Sequence, residues 1–147
     1  MALDIAANFG ADHVIDVSKQ DAVEEVMRAT NKRGVDVAIE AAWVAETANQ
    51  CVQMARYGGR VVVVGIPAKD ELTIQASAAR RKEVPIVYSR RMKHVYPATT
   101  DLAHMGLVDV DALATHRFTL DQAKVAFDTA ADYQDNVIRS MILPNMK

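Results

Sequence analysis

The 147-residue chain contains neither G-x-G-x-x-G nor G-x-x-x-x-G-K-[ST]. These are the glycine-rich turns that hold a dinucleotide or a nucleoside triphosphate at a helix N-terminus. Its glycines are Gly10, Gly34, Gly58, Gly59, Gly65 and Gly106, and none of their spacings matches either turn. A single cysteine, Cys51, excludes a disulfide framework and suits a reducing compartment. Lying in an apolar helical stretch, it reads as a buried structural thiol. Aromatic residues are sparse, and Phe9, Trp43, Tyr57, Tyr88, Tyr96, Phe118, Phe127 and Tyr133 do not interleave with lysines as a base-stacking platform would. A formal net charge of -2 gives no general attraction to nucleic acid or to an anionic membrane. No apolar run reaches the ~18 residues that span a bilayer. The opening MALDIAANFG lacks the basic and apolar regions of a signal peptide. A cytoplasmic protein is expected, with neither nucleic acid nor membrane as partner.

What is present is an alternation of short helical and β-rich segments, enough for one domain with a core. Residues 2 to 9 have helical periodicity and stop at Gly10, and His13 to Val17 reads as a short strand. Asp21 to Ala29 is an amphipathic helix, followed by a β-rich run from Val35 to Ala41. A helix from Ala45 to Ala55 closes at Tyr57-Gly58-Gly59. Arg60 to Ile66 is the clearest buried parallel strand, a continuous β-branched run. Beyond Pro67, Leu72 to Gln75 suggests a short strand, Ala76 to Lys82 a short helix and Val84 to Ser89 another strand. Helix returns from Tyr96 to Met105, a helical turn follows at Asp111 to Ala114, and a helix spans Leu120 to Ala131 with Thr119 as N-cap. Val137 to Leu143 is the terminal strand. Strands separated by helices predict a largely parallel sheet with right-handed crossovers.

Several stretches, in this order, carry a resemblance. They are A-x-x-F-G-A-D-H-V-I-D at Ala6 to Asp16, G-V-D-V-A-I-E-A at Gly34 to Ala41 and Y-G-G-R-V-V-V-V-G-I-P at Tyr57 to Pro67. They continue with R-R-K-E at Arg80 to Glu83, Y-P-A at Tyr96 to Ala98, T-H-R-F-T-L-D-Q-A at Thr115 to Ala123 and A-F at Ala126 to Phe127. Together the chain resembles the C-terminal part of the cofactor domain of the medium-chain, zinc-containing alcohol and polyol dehydrogenases, with a threonine or sorbitol dehydrogenase flavour. The resemblance implies an α/β fold: a three-layer, incomplete Rossmann-like, mostly parallel sheet lacking its first two strands and glycine-rich loop. Residues 1–147 would form one partial dinucleotide-binding domain. Aligned with that family, the chain begins in the helix before the third cofactor-domain strand, which puts the fingerprint and the ribose-binding acid upstream of Met1. The implied function is part of an NAD(P)-dependent zinc-type dehydrogenase, catalytically inactive as this chain alone. The alternative is a self-associating structural or interaction domain that binds no cofactor. The histidines and the cysteine match none of the family's zinc positions and lack metal-ligand spacing.

In the strand order 3-2-1-4-5-6 of a doubly wound sheet, loss of the first two strands removes the centre. The expectation is that strand 13–17 pairs directly with 35–41, or that the gap is filled by exchange with a second chain. The resemblance also implies cofactor-facing roles, with NAD or NADP as the cofactor and zinc confined to the complete enzyme. Glu40, Ala41 and Ala42 sit where strand 35–41 meets the next loop, a segment that lines the cofactor in that family. Val64, Gly65 and Ile66 end the strongest strand, where a glycine lets the backbone approach the nicotinamide. Ser89 and Arg90, with Arg91 beside them, follow the strand from Val84 to Tyr88, and a guanidinium there suits phosphate. Trp43 reads as packing, Asp16 as a solvated strand-end acid and His116 as structural. No nucleophile–base pair and no catalytic residue is assigned. The segment Leu72 to Ser89 is expected to continue the sheet into a homodimer.

Overall fold

The computed structural model describes residues 2–42, 44–66 and 71–145. In chain order they form α1 (Ala2–Asn8), α2 (Ala22–Ala29), β1 (Val35–Glu40), α3 (Ala45–Met54), β2 (Ala55–Val63) and α4 (Ala76–Arg81). Then come β3 (Ile86–Tyr88), α5 (Tyr96–His104), β4 (His116–Phe118), α6 (Ala123–Ala131), a 3-10 turn at Gln134–Asn136, and β5 (Ser140–Ile142). The fold is α/β, with open parallel sheets, as the sequence pattern implied. Two compact units are present: residues 15–93, and residues 1–14 with 94–147.

In residues 15–93 the strand order is β1-β2-β3, all parallel. Alternation along each strand sends Ala38 and Glu40 of β1, with their register partners Val61 and Val63 of β2, to one face. Cys51 and Val52 of α3 join Ala38, Val61 and Val63 in one buried cluster with Ala55 and Val84. The opposite face of β1 carries Val37 and Ile39, which are exposed. Asp21 caps α2 through a side-chain bond from the Glu24 amide at 2.9 Å. At the other end of α3, the Lys82 ammonium donates to the carbonyls of Gln53 (2.6 Å), Ala55 (2.9 Å) and Val52 (3.3 Å). Those oxygens carry the negative end of the helix dipole, so a cation is favoured there. Burial lowers the Lys82 pKa from its ordinary value.

Between Val35↔Ala55 and Val37↔Arg60 the register jumps, so residues 56–59 loop out of β2 as an extended bulge. Glycine is required beside it: Gly34 has φ +82°, and a Cβ there would lie 2.6 Å from the Met54 carbonyl oxygen. The expected closure of α3 at Tyr57-Gly58-Gly59 is therefore corrected. The helix ends at Met54 and these residues belong to the bulge.

Other boundaries differ for identifiable reasons. Residues 13–17 form no strand and do not pair with β1, which among the described residues is paired only with β2. Asp16 instead closes a local turn, accepting from the Ser18 amide at 3.1 Å and hydroxyl at 2.6 Å. Leu72 to Gln75 is not a strand either. The Gln75 amide is taken by Asn49 Oδ1 at 2.9 Å, and Leu72 and Ile74 pack against the core without a ladder. The strand predicted for 60–66 stops at Val63. Val64 and Gly65 both donate to the Glu40 carbonyl, at 2.8 and 3.1 Å, and two successive amides converging on one oxygen break the alternation of a ladder.

The other unit holds a second parallel pair, β4 with β5, joined at His116↔Ser140, Arg117↔Met141 and Phe118↔Ile142. The sequence reading anticipated β5, over a longer span, and missed β4. Regular helix in α6 begins at Ala123 rather than Leu120, and Thr119 is not its N-cap. The Gln122 side chain reaches back to accept from the Thr119 amide and hydroxyl, both at 3.1 Å, which makes residues 119–122 a turn leading into the helix. Among the described residues no helix is long and apolar enough to cross a membrane.

Candidate functional site

A cavity of about 480 Å³ opens beyond the C-terminal ends of β2 and β3. Open parallel sheets bind ligands at that end of their strands. Val64, Gly65, Ile66, Ser89 and Arg90, all named from the sequence, share this cavity with Val63, Glu71, Leu72, Tyr88 and Arg91. The ladder brings the two segments together, since Ser89 donates its amide to the Val63 carbonyl at 2.9 Å. The wall combines apolar side chains (Val64, Ile66, Leu72, Tyr88) with two exposed guanidinium groups and one carboxylate.

Ala41 and Ala42 do not line the cavity but stand beside it. Glu40, buried to 3% exposure at the end of β1, accepts the Ala42 amide on Oε1 at 2.8 Å. The same oxygen lies 2.7 Å from Thr47 Oγ1, in the first turn of α3. That hydroxyl is also 2.6 Å from the Val44 carbonyl. A carboxylate at a helix N-terminus is favoured by the dipole. Two positions before the α3 stretch, Trp43 lies outside the described residues, as does Pro67.

Sequence reasoning missed Glu71, Leu72 and Tyr88 as lining residues, and although it placed Glu40 in the cofactor-facing segment it did not foresee the bonds that tie Glu40 to Ala42, Val64 and Gly65. An acid near the end of an otherwise β-rich run was the available signal for Glu40, because such a group is tolerated in a core only when hydrogen-bonded. Cys51 is buried, as expected, and its thiol is pushed up first by burial and then by the nearby Glu40 charge. Asp16 sits in its turn with Lys19 at 2.8 Å, and hydrogen bonds from Lys19 and Ser18 lower its pKa to about 2. His116 contacts Thr115 Oγ1 at 3.0 Å and Asp135 Oδ2 at 3.2 Å, in the strand pair rather than at the cavity. Among the described residues no three His, Cys, Asp or Glu side chains are grouped to hold a metal ion.

Over residues 1–105 the sequence matches the zinc-binding dehydrogenases. The chain belongs to that family. Sorbitol dehydrogenase of Bacillus subtilis is 31% identical over 145 residues, covering 99% of this chain and 41% of that protein. L-idonate 5-dehydrogenase of Vitis vinifera is 38% identical over 135 residues, covering 88% and 37%. This zinc-binding dehydrogenase chain thus spans about two fifths of the length of these curated relatives. Among solved structures, 2R,3R-butanediol dehydrogenase of Bacillus subtilis superposes with a TM-score of 0.82 at 27% identity, covering 97% of this chain and 40% of that one. A Sinorhizobium meliloti protein assigned to the zinc-binding dehydrogenases and bound to NADP gives 0.84 at 28%, covering 97% and 42%.

Proposed function

We propose that this chain forms the nicotinamide-side wall of an NAD(P)-dependent, zinc-type alcohol or polyol dehydrogenase, with residues 1–147 acting as one partial dinucleotide-binding domain in the cytoplasm. The observation that carries the reading is the gathering of Val64, Gly65, Ile66, Ser89 and Arg90 around one cavity at the carboxyl ends of adjacent parallel strands. The apolar wall suits a flat ring, and Arg90 and Arg91 suit phosphate oxygens. When bound, the nicotinamide supplies the hydride acceptor. Zinc does not fit the described residues, so no step is assigned to it here. On this reading the chain alone turns over no alcohol. Names such as sorbitol and L-idonate 5-dehydrogenase make a polyol or sugar acid the substrate class to try first for a complete enzyme.

The decisive experiment is an NADH titration of the purified chain, followed by Trp43 fluorescence and by calorimetry. Saturable binding in the micromolar range is expected. Absence of binding at millimolar NADH would overturn the proposal.

A second reading, a self-associating domain that binds no cofactor, is favoured by the exposed sheet edge. The described residues pair β3 only with β2, and Val87 and Tyr88 are exposed. A homodimer through residues 72–89 fits either reading. Exchange of a strand with a second chain at the free edge of β1 is the alternative route. Sedimentation with and without a charged substitution at Val87 separates the two surfaces.

A further inference from the structure

The two segments that follow β1 and β2 meet at one residue. The main-chain oxygen of Glu40 accepts both Val64 and Gly65, while its side-chain oxygen accepts Ala42 and faces the Thr47 hydroxyl. From there the hydrogen bonds continue through the Val63 carbonyl to the Ser89 amide, so three segments around the cavity are joined in sequence. We propose that Glu40 is a positioning residue for this site: it fixes where Ala41–Ala42 and Val64–Gly65 stand relative to each other, and thereby how tightly a nicotinamide nucleotide is held.

This inference rests on the nucleotide reading above. A buried carboxylate is a costly choice for a strand whose other inward residue is Ala38, unless its hydrogen bonds do something that an apolar side chain cannot. Here they close the turn after β1 onto the first turn of α3. Glu40 never touches the cavity, so its effect passes through the backbone of the residues that do.

The test compares Glu40→Gln, Glu40→Ala and Thr47→Val with the wild-type chain, reading NADH affinity, thermal midpoint and the amide resonances of Ala42, Gly65 and Ser89. Glutamine keeps an acceptor oxygen in place, so E40Q is expected to bind within about threefold of wild type, whereas E40A weakens binding about tenfold and shifts the Ala42 and Gly65 amides. T47V removes one arm and falls between them. A folded E40A with unchanged affinity, or with those amides unmoved, overturns the inference. If E40A does not fold, T47V decides, and unchanged affinity there overturns it equally. If the wild-type chain binds no NADH, the proposed function fails. The amide shifts of the variants then still decide whether Glu40 positions the two segments: moved resonances support it, unmoved ones refute it.

Discussion

In residues 15–93, α3 lies over β1 and β2 and buries a contiguous cluster of seven residues from Ala38 to Val84. In residues 94–147, the described residues that reach the same depth are Ala114, Ala126 and Thr129, beneath a two-stranded sheet of three residue pairs. Both regions repeat the same strand, helix, parallel strand pattern, and only one obtains a core from it. The difference is length. Strands of six and nine residues give a ten-residue helix a surface to cover, whereas the three-residue strands β4 and β5 give α6 little. A two-stranded sheet is marginal by itself. The candidate cavity sits at the rim of the better-packed unit, lined mainly by the segments that follow β2 and β3.

The substitution expected to break this contrast most severely is Gly34→Ala. It would force a Cβ into the Met54 carbonyl at positive φ. A loss above about 2 kcal/mol is expected in chemical denaturation, and a change below 0.5 kcal/mol (about the ordinary surface value) would show that the bulge is slack. Next is Val52→Ala, at a side chain with no exposed surface. It should cost about 2 kcal/mol, and amide exchange should accelerate in Val61 and Val63 well before any change in β4 and β5. Equal acceleration in both regions would mean that the two units open together.

Acid offers a third probe. Hydrogen bonds from Arg33 and then Arg56 hold the Asp36 carboxyl well below the usual carboxylate range, and Asp16 is lowered to about 2. A carboxylate depressed in the folded state contributes stability that is complete above its unfolded pKa and declines as pH falls towards the folded value. Stability of residues 15–93 should therefore drop between about pH 4 and pH 2, and Asp36→Asn should flatten part of that drop. An unchanged acid limb, followed by circular dichroism, would refute a role for the Arg33–Asp36–Arg56 cluster.

The smallest effect is expected in the weaker unit. Ser140 Oγ is buried without a hydrogen-bond partner among the described residues. Ser140→Ala should be neutral or stabilising by up to about 1 kcal/mol. A clear loss in thermal midpoint would reveal a partner for that hydroxyl.

The same contrast explains what could be read from the sequence. Long periodic segments, such as Ala22–Ala29 and the β-branched run within Arg60 to Ile66, announced themselves through side-chain pattern, although the strand in the latter stops at Val63. The choice of Gly65, Ser89 and Arg90 had another source, the family resemblance, and the structure places all three around one cavity. Invisible were the places where a side chain competes for backbone hydrogen bonds. Asp16 turns what looked like a strand, Asn49 takes the Gln75 amide, and Gln122 delays α6. Glu40 was noticed as an acid in a strand, but the bonds it accepts involve residues as far along the chain as Gly65 and could not be inferred from spacing. The strand β4 was missed because three residues, His116 to Phe118, carry too little period to recognise.

Among the described residues both sheets are built from parallel pairs alone, and this has a kinetic consequence. Val37 meets Arg60, Val61 meets Ile86, and His116 meets Ser140. No hairpin exists among these ladders to form quickly and seed the rest, and every pairing must first close a long loop. Folding is expected to begin with local contacts in α3 and α6, with the strands joining late. On a ribosome, β1 must wait until both the helix that spans the gap and the strand beyond it have emerged.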